Sequence, residues 1–298
     1  MSQIDDDAEI EASRAPLLDH LVELRKRLIV CFLAVGLGFG VCFVFASQIT
    51  SFLLHPYEVA AGLLAAQKSG HIKEWSFDLL FALFNPRHTA ATEHLRFVFT
   101  APLELFFAKV KIAAFGAVIL TFPVLAWQLY RFVAPGLYRR ERNAFLPFLV
   151  ASPVLFGLGA ALVYYVMLPF VLWFSLNQQI LGGTGAISVE LLPKIDDYMS
   201  LVTTLVLAFG LCFQLPVVMT LLGMAGLVSA RMLRSGFRYA VVGIFLVAAV
   251  ITPPDPISML SLALPIVLLY EVSIWCVALI ELRRKKEDAA AGREVTPA

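Results

Sequence analysis

Four stretches of the chain are long apolar runs without a single Asp, Glu, Lys or Arg, and they predict membrane-spanning helices. The runs are Leu28–Ala46, Ile112–Tyr130, Ala144–Leu176 and Tyr198–Ala230. A helix needs about 20 apolar residues to cross the hydrocarbon core of a bilayer, so each run is long enough. The pattern predicts a polytopic helical membrane protein.

A further apolar region, residues 239–282, is divided by the sequence ITPPDP. One helix over the whole region would be about 66 Å long at 1.5 Å per residue, about twice the thickness of a bilayer. The prolines cannot continue a helix, and Asp255 between them prefers water. We therefore predict a short hairpin of two spans, 239–252 and 257–280.

Most of the 23 lysine and arginine residues fall in four clusters, which lie before the first span, after the second, after the fourth and after the last. Basic residues next to spans favour the cytoplasmic side. The clusters therefore predict six spans with both termini in the cytoplasm. Short helices beside long ones, and prolines within several spans, predict a concave, cup-like arrangement.

These features divide the chain into three parts. We predict a cytoplasmic N-terminal segment, a six-span membrane domain and a disordered cytoplasmic tail, at residues 1–27, 28–282 and 283–298. The predicted external loops are residues 50–100, 177–197 and 253–256.

Composition agrees with this class and excludes several others. The chain is 60% hydrophobic and 15% charged, whereas a soluble domain is nearer half apolar and a quarter charged. No catalytic signature is present in the sequence, and the five histidines and four cysteines show no metal-ligand spacing. The sequence therefore predicts no enzyme, no cofactor, no metal site and no nucleic-acid binding.

Two predicted cytoplasmic segments each hold one acidic residue within a basic frame. Glu23 lies among Arg25, Lys26 and Arg27 in HLVELRKRL, and Glu141 lies among arginines in LYRRER. One explanation is a local i,i+4 ion pair between Glu23 and Arg27, worth about 0.2–0.5 kcal/mol. The other is that both carboxylates accept a cationic ligand, with nearby arginines keeping them charged. The motifs alone leave both open.

Two polar groups lie deep in predicted spans, Gln214 in the fourth and Glu271 in the last. A carboxylate in a span is costly and therefore points to function, but Glu271 could equally form a structural ion pair. The same residue carries the main rival interpretation, a proton-coupled secondary transporter. A membrane scaffold without a ligand of its own is a second rival.

At these motifs the sequence resembles the TatC family, the signal-peptide receptor subunits of the twin-arginine protein translocase. The resemblance covers residues 16–282 and rests on PLLDHLVELRKRL, FPVLAWQLYRFVAPGLYRRERN, FGLCFQLPVV and ITPPDP, in that order. It implies a six-spanning cup with both termini in the cytoplasm, as the charge pattern does independently.

The resemblance also implies roles for particular residues. Glu23 and Glu141 would accept the paired arginines of a signal peptide. Family positions tied to recognition, or to ordering that patch, are matched by Arg25, Phe132, Pro135, Tyr138 and Arg142. Pro56 matches a proline of the first external loop. Gln214 and Glu271 are the intramembrane candidates for polar or partner contacts, although many relatives carry Glu where this chain has Gln214.

The partners implied are twin-arginine signal peptides of folded precursor proteins, single-span subunits of the TatA and TatB types, further copies of the chain, and membrane lipid. The implied location is the bacterial inner membrane, with the proton gradient as energy source because no nucleotide site is visible. Signal peptides carrying Arg-Arg or Lys-Lys separate this interpretation from the transporter and the scaffold.

Overall fold

A computed structural model of the chain describes residues 3–68, 97–133, 146–179, 193–251 and 256–290, and these residues are almost entirely helical. In chain order the helices are α1 (Gln3–Val44), α2 (Ala46–Lys68), α3 (Glu104–Val133), α4 (Leu146–Leu162), α5 (Leu168–Asn177), α6 (Ile195–Cys212), α7 (Leu215–Met224), α8 (Ala230–Ile251) and α9 (Pro256–Ala290). A π-helical turn, Val163–Met167, joins α4 to α5. The predicted all-α membrane class is confirmed.

Seven helical stretches of the described chain are long and apolar enough to cross a membrane. Six of them overlap the predicted spans. The seventh, Ala46–Gln67, lies at the start of the predicted first external loop. Its mean hydropathy of 1.2 is the lowest of the seven, because His55, Pro56 and Glu58 interrupt its apolar residues.

Helices α1 and α3 pack antiparallel through two glycines. A Cβ atom on Gly38 would lie 2.8 Å from Cγ2 of Thr121, and one on Gly116 would lie 2.9 Å from Sγ of Cys42. Small residues at such points let two backbones approach closely, as membrane helices often require. The end of α1 therefore lies beside the first half of α3, and we predict that α2 between them adds no net crossing.

The described residues of the basic clusters lie toward one end of the helix bundle. The antiparallel register of α1 and α3 brings Arg27 level with Arg131. The backbone N–H of Ala230 donates to Oε1 of Glu281 at 2.8 Å, which joins the start of α8 to the late part of α9. We call this the basic end.

The described ends of the first two predicted external loops meet at the opposite end. The backbone N–H of Val98 donates to the carbonyl of Pro193 at 3.2 Å, and Nζ of Lys111 lies 2.7 Å from Oδ1 of Asp196. Segments that touch lie on one side of a membrane, so this arrangement agrees with the parity drawn from charge. The number of crossings, the concave shape and the orientation stay predictions.

At this opposite end, two tyrosines from other helices donate hydrogen bonds to the backbone of α2. Pro56 has no N–H, so the carbonyl of Phe52 lacks its helical donor. The hydroxyl of Tyr164 donates to that carbonyl at 2.6 Å, and the hydroxyl of Tyr198 donates to the carbonyl of Leu53 at 2.7 Å. Pro56 was expected in a loop, whereas it lies buried within α2.

The main core lies where α2, α3, α5 and α6 meet. Trp173 and Phe209 are its largest fully buried side chains. The indole N–H of Trp173 donates to Oε1 of Gln67 at 2.9 Å, which satisfies its one donor. A second, smaller cluster lies between α8 and α9 and contains Leu233, Tyr270, Ile274 and Val277.

The last two helices match the predicted hairpin but extend further. Helix α8 begins at Ala230 rather than near residue 239, because the arginines of the third cluster lie in its first turns instead of before it. Helix α9 continues to Ala290, so the first part of the tail predicted to be disordered is helical. Residues 252–255 of ITPPDP lie outside the described residues.

Candidate functional site

Glu23 and Arg27 form an ion pair on α1, near the basic end. Both Nε and a terminal nitrogen of Arg27 donate to Oε1 of Glu23, with Nε at 3.1 Å. Residues four apart lie on one face of a helix, which explains the contact. The Glu23 side chain remains 35% exposed, so the carboxylate is within reach of solvent.

The register of α1 against α3 places Glu23 beside the end of α3. Both helices rise 1.5 Å per residue, so continuing from the contact of Gly38 with Thr121 brings Lys26 level with Val133, the last residue of α3. Glu23 lies three residues further, about 4.5 Å beyond that end. Residues 134–145 follow directly. They contain Pro135, Tyr138, Glu141 and Arg142, which lie outside the described residues. The pairing of Glu23 with Glu141 stays a prediction.

The other two members of the predicted recognition patch lie on the helices that flank this point. Arg25 is exposed on α1, and Phe132 is partly buried in the last turn of α3. The structure thus brings Glu23, Arg25 and Phe132 to one region at the basic end.

The last turns of α3 also carry an aromatic and cationic surface. The guanidinium of Arg131 lies over the ring of Trp127, 6.0 Å from its centroid. Trp127 is 41% exposed, as expected of an aromatic residue at a membrane interface. Sequence reasoning missed Trp127, although its spacing of four residues from Arg131 at the end of a span was a usable signal.

Gln214 lies at the junction of α6 and α7, where it joins two spans. Its Oε1 accepts a hydrogen bond from Oγ of Ser152 at 2.7 Å, and its Nε2 donates to the backbone carbonyl of Ser152 at 2.8 Å. Both ends of the amide are therefore engaged with α4. The structure assigns Gln214 an internal contact, whereas the sequence suggested a contact with partner helices.

Glu271 on α9 forms an ion pair rather than standing alone in a span. Its Oε1 accepts from a terminal nitrogen of Arg234 at 2.9 Å and from the indole N–H of Trp275 at 3.1 Å. Its side chain is 38% exposed. Of the two explanations that the sequence left open, the geometry favours structural pairing, and this removes the main support for a proton-coupled transporter.

Among the described residues, no group of three or more His, Cys, Asp or Glu side chains is placed to hold a metal ion. The described side chains of the site are charged or aromatic, namely Glu23, Arg25, Trp127, Arg131 and Phe132. The site can recognise a ligand that combines a cationic group with an apolar segment.

Comparison with known proteins gives one consistent result. The family model described as "Sec-independent protein translocase protein (TatC)" matches residues 19–265. A TatC protein of Magnetococcus marinus is 38% identical over 93% of this chain and 89% of its own length. A TatC protein of Desulforapulum autotrophicum is 33% identical over 89% of this chain and 84% of its own length.

A solved structure agrees with the sequence comparison. The crystal structure of the twin-arginine translocase receptor TatC superposes with a TM-score of 0.66 at 33% identity. The match covers 87% of this chain and 98% of that one.

Proposed function

The chain belongs to the TatC family of Sec-independent protein translocase proteins, and we propose that it is the subunit that binds twin-arginine signal peptides. The observation that carries the proposal is the position of Glu23. The packing of α1 on α3 sets this partly exposed carboxylate just past Val133, where the segment that holds Glu141 begins.

The recognition chemistry follows from the geometry of the guanidinium group. Its planar fork of N–H donors suits carboxylate oxygens, whereas a lysine ammonium is a compact point charge. One carboxylate at Glu23 and a second at Glu141 would accept two adjacent arginines. Each charge-assisted hydrogen bond contributes about 1.5–3 kcal/mol, so loss of either carboxylate weakens binding by roughly tenfold or more.

Arg27 holds the Glu23 carboxylate before the signal arrives. The pair orients the carboxylate, and an i,i+4 ion pair on a helix is worth only about 0.2–0.5 kcal/mol. An incoming arginine that forms stronger bonds can therefore share or displace the Arg27 contact at small cost.

The apolar part of a bound signal would continue along the membrane from this point. Trp127 and Phe132 lie in the last two turns of α3. We further propose that single-span subunits of the TatA and TatB types and other copies of the chain complete the conduit, with the proton gradient as energy source. The multi-pass chain would reside in the bacterial inner membrane.

Binding of signal peptides to the full chain tests the proposal. The chain is reconstituted in liposomes and incubated with a photo-crosslinkable signal peptide carrying Arg-Arg or Lys-Lys. We expect crosslinks with Arg-Arg, strong reduction with Lys-Lys, and loss of Arg-Arg crosslinking in Glu141→Gln. Glu58→Gln is the matched control, because Glu58 is an exposed acid on α2 that pairs with His55.

Three results would contradict the proposal. Equal crosslinking of the two peptides would show that the chain does not distinguish Arg-Arg from Lys-Lys. Unchanged crosslinking in the double variant Glu23→Gln, Glu141→Gln would show that these carboxylates do not bind the signal peptide. Ion or solute flux through the chain alone would instead support the transporter interpretation.

A further inference from the structure

A groove between α8 and α9 lies at the basic end, on a different part of the molecule from Glu23. It encloses about 760 Å³. Its walls are one face of each helix, namely Ala230, Arg231, Arg234 and Ser235 of α8 and Ile274, Trp275, Ala278, Leu279 and Leu282 of α9. The spacing of one, three and four residues in both sets shows that each helix presents a single stripe to the groove.

The two stripes differ in chemistry. Helix α8 contributes two guanidinium groups, whereas α9 contributes an apolar surface in which Trp275, Leu279 and Leu282 are more than half exposed. A cationic rim above an exposed apolar wall is the pattern that an amphipathic anion fits. Exposed tryptophan and basic residues at the ends of spans also mark the level of lipid headgroups.

The charge balance of the groove is positive. Glu271 offsets Arg234 through their ion pair at 2.9 Å, and Glu281 is engaged with the backbone N–H of Ala230. Among the described residues, no carboxylate lies within 4.0 Å of Arg231. A ligand that approaches this rim therefore needs negative charge.

Glu271 also gives the groove a defined shape. Its Oε1 accepts from both Arg234 and Trp275, so one carboxylate fixes the cationic rim and the aromatic wall relative to each other. Such preorganisation lowers the entropy cost of binding.

We propose that this groove is a binding site for an anionic phospholipid. The phosphate of the headgroup contacts Arg231 and Arg234, and an acyl chain lies along Trp275, Leu279 and Leu282. The site is independent of the signal-peptide function proposed above, because none of its residues belongs to that patch.

Native mass spectrometry of the full chain in detergent tests this site, with phosphatidylglycerol and phosphatidylcholine as probes. We expect preferential retention of phosphatidylglycerol. An arginine near a membrane surface contributes on the order of fivefold in affinity for anionic lipid, so Arg231→Gln should lose about that factor. Arg238→Gln is the matched control, since Arg238 lies on α8 over the ring of Tyr239 and outside the groove.

A second variant separates loss of the ligand from loss of structure. Replacing Arg234 and Glu271 together, as Arg234→Gln with Glu271→Gln, removes the ion pair without leaving a lone charge, and it should also reduce the preference. Three results would each overturn the proposal. The first is equal retention of both lipids by the unchanged chain. The second is an equal loss of phosphatidylglycerol affinity in Arg231→Gln and Arg238→Gln. The third is displacement of the bound lipid by millimolar inorganic phosphate.

Discussion

Arg27 donates two hydrogen bonds to a single oxygen of Glu23, within one helix and one turn apart. The contact is the local i,i+4 pair, one of the two explanations that the motif offers for an acid in a basic segment, and binding of a cationic ligand stays a prediction. The local pair is worth a few tenths of a kcal/mol, too little to account for the cost of a carboxylate at an anionic surface. A ligand that bonds to the same carboxylate can supply considerably more.

The first prediction separates the two partners of this pair. We expect Glu23→Gln to weaken Arg-Arg signal binding by roughly tenfold, because a charge-assisted hydrogen bond is lost. Arg27→Gln should change binding by no more than about threefold, since the pair it breaks is weak. Titration of a fluorescent signal peptide against the reconstituted chain measures both. An effect of Arg27→Gln as large as that of Glu23→Gln would contradict this account.

The second prediction concerns the contact between Gln214 and Ser152. Interhelical hydrogen bonds in membrane proteins contribute about 0.6 kcal/mol on average and at most about 1.7 kcal/mol. Gln214→Leu removes two such bonds and should lower the free energy of unfolding within or slightly above that range. Ser152→Ala removes only the bond from its hydroxyl, so it should cost about half as much. Unfolding in mixed detergent micelles measures both free energies. An unchanged free energy of unfolding in Gln214→Leu would show that the contact is not stabilising.

The third prediction compares two glycines of α4. A Cβ atom on Gly159 would lie 2.8 Å from the backbone oxygen of Phe209, whereas one on Gly157 meets nothing within 4 Å. Gly159→Ala must therefore separate α4 from α6, at a cost of about 1–3 kcal/mol. Gly157→Ala should be neutral or stabilising by up to about 1 kcal/mol, because alanine favours helix. The same unfolding assay tests the contrast, and equal effects of the two variants would refute the packing described here.

The fourth prediction concerns the tyrosine that fastens α2. Tyr164→Phe leaves the Phe52 carbonyl without a donor, which costs about 1–3 kcal/mol. In a Pro56→Ala background the new N–H at position 56 can bond to that carbonyl, so Tyr164→Phe should cost less. A double-mutant cycle measures the coupling, for which we expect about 1 kcal/mol. Strict additivity would mean that Pro56 and Tyr164 do not act on the same carbonyl.

The fifth prediction concerns the crossings. If α2 adds no net crossing, both termini lie on one side of the membrane. Cysteines introduced as Ser13→Cys and Thr296→Cys should both resist a membrane-impermeant maleimide in intact cells and react after permeabilisation. Reaction of one terminus alone in intact cells would show an odd number of crossings, and reaction of both would reverse the orientation. Glu58→Cys on α2 serves as the external reference, because it should react in intact cells.

Much of the fold could be predicted from local sequence because the signals are local. Charge-free runs identify spans, since length and hydropathy decide insertion. The spacing of Glu23 and Arg27 predicts their pair, since helical periodicity decides which side chains meet. Helix α2 was not predicted from its hydropathy because Glu58 and Pro56 lower it, although the buried face of the helix packs against α5 and α6.

The candidate site was predicted in part. Glu23 and Phe132 lie in one region, and Arg25 is exposed nearby, while their role in recognition stays a prediction. Trp127 and its contact with Arg131 were missed. Gln214 and Glu271 were recognised as unusual, but their partners Ser152 and Arg234 were not, because neither lies near them in sequence.

The sequence by itself determined the membrane class, the placement of most spans and the polarity of the two ends, because each depends on composition within a window of about 20 residues. Only the tertiary structure decided which polar groups form internal contacts. Gln214 bonds to a residue 62 positions away and Lys111 to one 85 positions away. Such pairs form when whole helices pack, and no local pattern specifies them. The same packing brings Arg231 and Trp275 to one groove.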